Sequence, residues 1–255
     1  MRFIVFILLF ICGVVKSQPS MFNATLSQCQ VVTSGLVLYV DANKSASQYG
    51  NNYWYDLKGG NNAAATNSPT FTHTGTNGGY ITFDGSSNYF EFTAPYNTTT
   101  NDFTVSVWLK TNSTPSVNVV AFGNYPPYGA FTTNNYQLYL LTTGKCISQI
   151  RDGSAISILD TSTNVINDNV WHNVVFMRSG TTQNLYVDGV FNMSHSNVLL
   201  GNINTSGNTM DLGRQSSFSG NYFPGSIANC LLYSRALTAT EVSQNYNAFY
   251  YQYSH

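Results

Sequence analysis

Acidic residues are scarce in this 255-residue chain: Glu91, Glu241 and nine aspartates stand against ten lysines and arginines. Cleaving a glycosidic bond takes two carboxyl groups held in different protonation states on either side of it. No closely spaced acid cluster occurs, and the aspartates fall singly, several before Gly or Asn, where turn formation accounts for them. The histidines His73, His172, His195 and His255 sit in no metal-ligand spacing. There is no Gly-x-Ser-x-Gly elbow and no phosphate loop. Cys12, Cys29, Cys146 and Cys230 lie too far apart for the short zinc and redox patterns. A hydrolase working through distant aspartates is the lesser reading, and the chain is expected not to be an enzyme.

Neutral polar groups and aromatic rings are plentiful instead. Charged residues make up 8% of the chain, and 18 tyrosines accompany abundant Asn, Ser and Thr. A net charge of −1 offers no basic field, which excludes nucleic acid as a partner. Such a composition suits neutral sugars, whose CH faces stack on rings while their hydroxyls bond to Asn, Ser and Thr. The candidate contacts are Tyr53 and Tyr55 in the long polar passage Asn43–Gly79, Tyr125 and Tyr128 around Pro126-Pro127, and Tyr222 with Phe223. Trp54, between the first two, is expected to plug the edge of the core.

These groups need elements to hold them. Trp171–Gly189 reads as two β-rich runs around a polar, Gly-containing turn, with apolar residues on both faces: Val174 and Phe176 on one, Val175 and Met177 on the other. Leu36, Leu38 and Val40 share a face in a first strand. Ile81–Phe92 is strand, Gly85-Ser86 turn, strand. Phe103, Val105 and Val107 oppose Trp108 across a further strand. Short strands follow at Asn118–Phe122, Tyr136–Leu141, Cys146–Arg151, Ala155–Asp160, Thr209–Gly213 and Ser226–Tyr233, and the Asn124–Gly129 stretch is expected to be loop. One helix is predicted over Thr238–Phe249, opened by a Thr238/Glu241 capping box and striped by Val242, Tyr246 and Phe249. The pattern predicts a two-sheet antiparallel jelly-roll sandwich with one short C-terminal helix.

At the amino end, Met1-Arg2 precedes an apolar run from Phe3 to Val15, which is too short to span a bilayer and ends at Ser17 before Gln18-Pro19. The expectation is a signal peptide over 1–17, a polar lead over 18–34, the sandwich over 35–250 and a tail over 251–255. The mature chain would be secreted, with no membrane insertion after signal removal. Cysteines would then meet an oxidising compartment. Six Asn-x-Ser/Thr sequons, at Asn23, Asn43, Asn97, Asn112, Asn192 and Asn204, are candidate glycosylation sites.

Several segments in order, GLVLYVDA at Gly35–Ala42, WYDLKGGNN at Trp54–Asn62, ITFDGSSNYFEF at Ile81–Phe92, FTVSVWLKT at Phe103–Thr111, the Trp-His hairpin ending in LYVDG, and PGSIANCLLYSRALTATEV at Pro224–Val242, resemble the laminin G-like branch of the concanavalin A-like lectin/glucanase superfamily. The resemblance implies the same jelly roll and makes His172 a structural residue. Related glucanases carry Glu-x-Asp-x-x-Glu along one strand, which this chain lacks. Relatives use calcium at the sheet rim, which here would fall to Asp56, Asp84 and Asp102, with Asn101 beside them. In such sandwiches the first and last strands lie side by side, favouring a Cys29–Cys230 disulfide; otherwise Cys230 is a small core residue and Cys146 a free thiol. The resemblance implies a recognition module for carbohydrate or glycoprotein using its rim loops. The alternative is a structural protein of a virion, capsule or matrix.

Overall fold

The structure is a computed structural model describing residues 30–49, 52–72, 78–93, 96–126, 134–215 and 221–253. Its first strands are β1 (Leu36–Asp41), β2 (Gln48–Tyr49), β3 (Tyr53–Trp54), β4 (Ala63–Thr66), β5 (Thr70–Thr72), β6 (Tyr80–Asp84), β7 (Tyr89–Thr93), β8 (Phe103–Lys110) and β9 (Val119–Tyr125). There follow β10 (Asn135–Leu140), β11 (Lys145–Arg151), β12 (Ser157–Val165), β13 (His172–Ser179), β14 (Thr182–Val187), β15 (Val190–Ser196), β16 (Thr209–Leu212) and β17 (Pro224–Tyr233). Helix α1 spans Ala239–Tyr253.

These strands form two antiparallel sheets. One runs β15-β14-β13-β8-β17-β6-β5, with β1 on the later half of β17; the other runs β12-β11-β10-β9-β16-β7-β4-β3-β2. The central hairpin pairs Val174 with Val187 and Ser179 with Thr182, so its turn is tighter than the polar segment predicts and Gln183 and Asn184 belong to β14. Its two apolar faces serve two cores. Val174 and Phe176 join Val105, Val107 and Trp54 between the sheets, while Val175 and Met177 join Trp108 beneath α1.

The helix closes that second core. Thr238 and Glu241 exchange the reciprocal bonds of a capping box: the Glu241 amide donates to Thr238 Oγ1 (3.2 Å) and the Thr238 amide to Glu241 Oε2 (2.9 Å). Val242 and Phe249 are buried and Tyr246 stacks on Trp108 at 5.4 Å. The helix runs on to Tyr253, which packs 5.3 Å from Trp108 and 5.1 Å from Trp171, so within the segment expected as a tail Tyr253 is core.

The strand, turn and strand expected over Ile81–Phe92 are present as β6 and β7, and the Asp84–Asn88 turn carries the chain from one sheet to the other. Three further expectations are corrected. A bulge between Leu36 and Leu38 turns Leu36 toward the helix core, while Leu38 and Val40 face the inter-sheet core. β9 extends through Asn124 and Tyr125, which are strand and not loop. Finally, β1 does lie beside β17, Val40 opposite Cys230, but Cys230 is a free, fully buried thiol facing the inter-sheet core. Cys29 lies outside the described residues. Cys146 is likewise free and buried.

Candidate functional site

In the nine-stranded sheet, Trp54, Ala63, Phe90, Phe92, Met210, Leu212, Phe122, Leu138, Ile150 and Ile158 point into the core. Because side chains alternate, their neighbours must point outward. The ladder registers bring one outward residue per strand into a single row: Tyr53, Ala64, Glu91, Asp211, Gly123, Gln137, Gln149 and Leu159. Eight strands thus contribute to one line across the outer face.

At the centre of the row Gly123 is required, since a methyl group there would fall on the Tyr125 ring lying across it. That placement lets the Tyr125 hydroxyl donate to Gln137, whose amide donates to Gln149. Tyr139 donates to the same Gln149 oxygen at 3.3 Å. Tyr125 is therefore 1% exposed, a member of the buried relay.

Beside it stands an acid pair that the linear sequence hides. β7 and β16 set Glu91 directly opposite Asp211. Arg214, just past β16, donates from Nε to Asp211 at 2.9 Å and from Nη2 to Glu91 at 2.7 Å. Its guanidinium carbon lies 3.4 Å from the Tyr89 ring centroid, a cation–π contact. Asp211 is fully buried, and its Oδ1 has no hydrogen-bond partner among the described residues. Burial lifts its carboxyl to about 7; Arg214 pulls it down and Glu91 pushes it further up. The Glu91 side chain is 39% exposed and faces outward.

Between Tyr53 and Glu91 the row holds only Ala64, small and exposed. Two strand spacings, about 9.6 Å, separate the flanking residues. The result is a trough with a Tyr53 wall, an alanine floor and an opposite wall of Glu91, Arg214 and Tyr89. Tyr222, bridged through its backbone to Val120, extends that wall, its ring 6.4 Å from Tyr89.

Of the aromatics proposed from sequence, Tyr53 is 46% exposed, and the half-buried Tyr55 lies 6.1 Å from it. Tyr222 is half-buried at the same face. Phe223 is corrected: it is fully buried and packs on Phe83 in the core, as Tyr125 is buried in the relay. Tyr128 lies outside the described residues. Trp54 is core, fully buried against Phe71 and Phe90.

The three aspartates proposed for calcium do not converge, and no three carboxylate, imidazole or thiol groups among the described residues form a metal cluster. Asp56 Oδ1 accepts the amides of Tyr39 and Lys58, both at 2.9 Å. Asp102 accepts the Gly180 amide at 2.7 Å. Burial works upward on Asp84, but the amides of Ser86, Ser87 and Asn88 and the Ser87 hydroxyl hold it well below the usual carboxylate range. Each spends oxygen lone pairs on backbone amides.

His172 is held on both sides, its Nδ1 2.8 Å from Asp188 and its Nε2 3.0 Å from Asp168. Burial opposes its charge, yet the two aspartates outweigh burial and raise its pKa above the ordinary value. The clamp ties the start of β13 to the turn after β14, a structural role.

A family model described as the concanavalin A-like lectin/glucanases superfamily matches residues 84–243. No curated protein sequence matches the chain. Among solved structures, the binding domain of Paraclostridial Mosquitocidal Protein 1 is similar with a TM-score of 0.68 at 16% identity, over 85% of this chain and 52% of that one. A structure of botulinum neurotoxin type C, whose cell entry is described as dependent upon interaction with two ganglioside molecules, gives 0.62 at 11%, over 84% and 51%. Trypanosoma rangeli sialidase gives 0.59 at 16%, over 86% and 33%. The chain thus spans about half the length of the two toxin chains and a third of the sialidase, and at these identities the likeness is one of fold.

Proposed function

This chain belongs to the concanavalin A-like lectin/glucanase superfamily, and from that premise we propose that it is an exported carbohydrate-recognition module that binds glycan without cleaving it. The observation that carries the reading is the trough on the outer face of the nine-stranded sheet, with an exposed tyrosine on one wall, an alanine floor and polar groups on the other. A sugar ring is of that width; its apolar face would lie against Tyr53 and its hydroxyls would reach Glu91 and Tyr222. The contact surface is the sheet face and its end, not the rim loops alone. The similar toxin binding domains support a binding role. Export rests on the apolar amino-terminal run, and a mature chain beginning at Met1 would contradict it.

The Glu91–Asp211 pair also favours a second reading, that of a glycosidase, because directly opposed strand residues bring two carboxyl groups close. Two features speak against it. Asp211 is enclosed, so it cannot touch a scissile bond, and Glu91 is tied to Arg214. A glycan array probed with the wild type, Tyr53→Ala and Tyr222→Ala tests the binding reading. Selective binding weakened by both changes is the expected result; no binding to any glycan would favour a purely structural role. Polysaccharide turnover by the purified protein, abolished in Glu91→Gln, would overturn the non-catalytic assignment.

A further inference from the structure

The chemistry of the Glu91–Arg214–Asp211 cluster goes beyond the location of a binding face to the charge of what that face accepts. Among the described residues Arg214 is the cation nearest the trough, and its Nε/Nη2 edge is divided between two carboxylates. One nitrogen is on Asp211, another on Glu91, and the guanidinium plane is over Tyr89. A bidentate grip by that edge on a carboxylate or sulfate needs it free. The group facing outward is the Glu91 carboxylate, and behind it Asp211 keeps a buried oxygen with no hydrogen-bond donor among the described residues. The cluster therefore turns a carboxylate toward the ligand, and the Nε/Nη2 edge of Arg214 is not free to grip an anion bidentately. Among the described strand residues, the other cations projecting from this face, Lys145 and Arg151, sit on β11, four strands from Glu91. At about 4.8 Å per strand that is roughly 19 Å, well beyond the screening length of about 8 Å in physiological salt.

We infer that this cluster makes the trough selective for uncharged glycans and excludes acidic ones, with Asp211 acting as the positioning residue that keeps Arg214 turned away from ligand. The inference rests on the carbohydrate-binding reading above. An incoming carboxylate or sulfate meets Glu91 at close range and finds the Arg214 charge already balanced by Glu91 and Asp211. A hydroxyl donates to Glu91 instead. This selectivity is the reverse of what an unpaired arginine in the same place would give.

The test uses the full mature chain and a printed array carrying neutral oligosaccharides beside their carboxylated and sulfated counterparts, read as apparent Kd at fixed salt. The wild type is expected to bind the neutral members at least about tenfold more tightly than matched acidic members. Glu91→Gln combined with Asp211→Asn removes both anions, leaves Arg214 uncompensated, and is expected to shrink or invert that ratio. Glu91→Gln alone, which leaves the buried carboxylate in place and spares the fold, is expected to move the ratio in the same direction by a smaller factor. Equal or tighter wild-type binding of the acidic members overturns the inference, as does an unchanged ratio in the folded single variant. Loss of all glycan binding by the wild type is a different result: it overturns the binding reading itself.

Discussion

Replacing Tyr253 with Ala would remove a ring from beneath the last turn of α1, a position that a disordered tail would make immaterial. The residue is 3% exposed and packs against both Trp108 and Trp171. Its hydroxyl donates to the Gly79 carbonyl at a long 3.3 Å, so that bond adds little. A buried aromatic truncated to Ala costs about 3–5 kcal/mol, combining lost transfer energy with the cavity left behind. The two aromatic contacts are each worth about 0.5–1.5 kcal/mol beyond burial and fall within that range. In a chain of this size each kcal/mol moves Tm by about 2–4 °C, so the drop should be near 10 °C. Tyr250, one turn of helix away and 39% exposed, is the control and should cost under about 1 kcal/mol. Calorimetry, backed by urea unfolding to confirm an unchanged slope, measures both. A Tyr253→Ala protein within 2 °C of wild type would refute the packing assigned to the end of the helix.

Two other outcomes follow from the buried titratable groups. Because its two aspartates raise His172 in the folded state, its contribution to stability is full below the unfolded pKa of about 6.5 and is lost as pH rises through the folded value. Wild type should therefore lose Tm relative to His172→Gln between pH 6 and 8, and parallel curves would count against the clamp. Burial pushes the Cys146 thiol up to about 11 and lifts Cys230 as well, so neither should react with a thiol reagent until the protein unfolds. Rapid native labelling of Cys230 would show that it is not enclosed by the two sheets.

What the sequence discloses is what is encoded locally. Alternation in His172–Met177 reveals a strand covered on both faces, and the Thr238/Glu241 spacing marks the helix start, because each depends on residues within a turn or a strand of one another. The Asp84-Gly85 turn is less legible, since the same turn chemistry serves a hairpin and a crossing between sheets. The functional cluster is least legible of all. Glu91 and Arg214 lie 123 residues apart, and only the pairing of β7 with β16 makes them neighbours. Two local signs did point there. Glu91 alternates with Phe90 and Phe92, which puts it on the solvent side of a strand, and Gly123 interrupts a strand, which marks a close approach. The burial of Tyr125 and Phe223 had no such sign, because Pro126-Pro127 beside one and the polar stretch before the other read as exposed loop. Cys230 illustrates the same limit. Neighbouring end strands made a bridge to it reasonable, but the pleat aims its thiol into the core.

The most direct test of the central claim is a backbone NMR titration of the isotopically labelled protein with the tightest neutral oligosaccharide found on the array. If the outer face of the nine-stranded sheet is the binding surface, the amides of Tyr53, Ala64, Tyr89, Glu91, Arg214 and Tyr222 should shift together with one saturating Kd, while those of β13 and α1 stay in place. Saturable shifts confined to the opposite sheet or the helix, with the Tyr53–Glu91 trough unmoved, would contradict it.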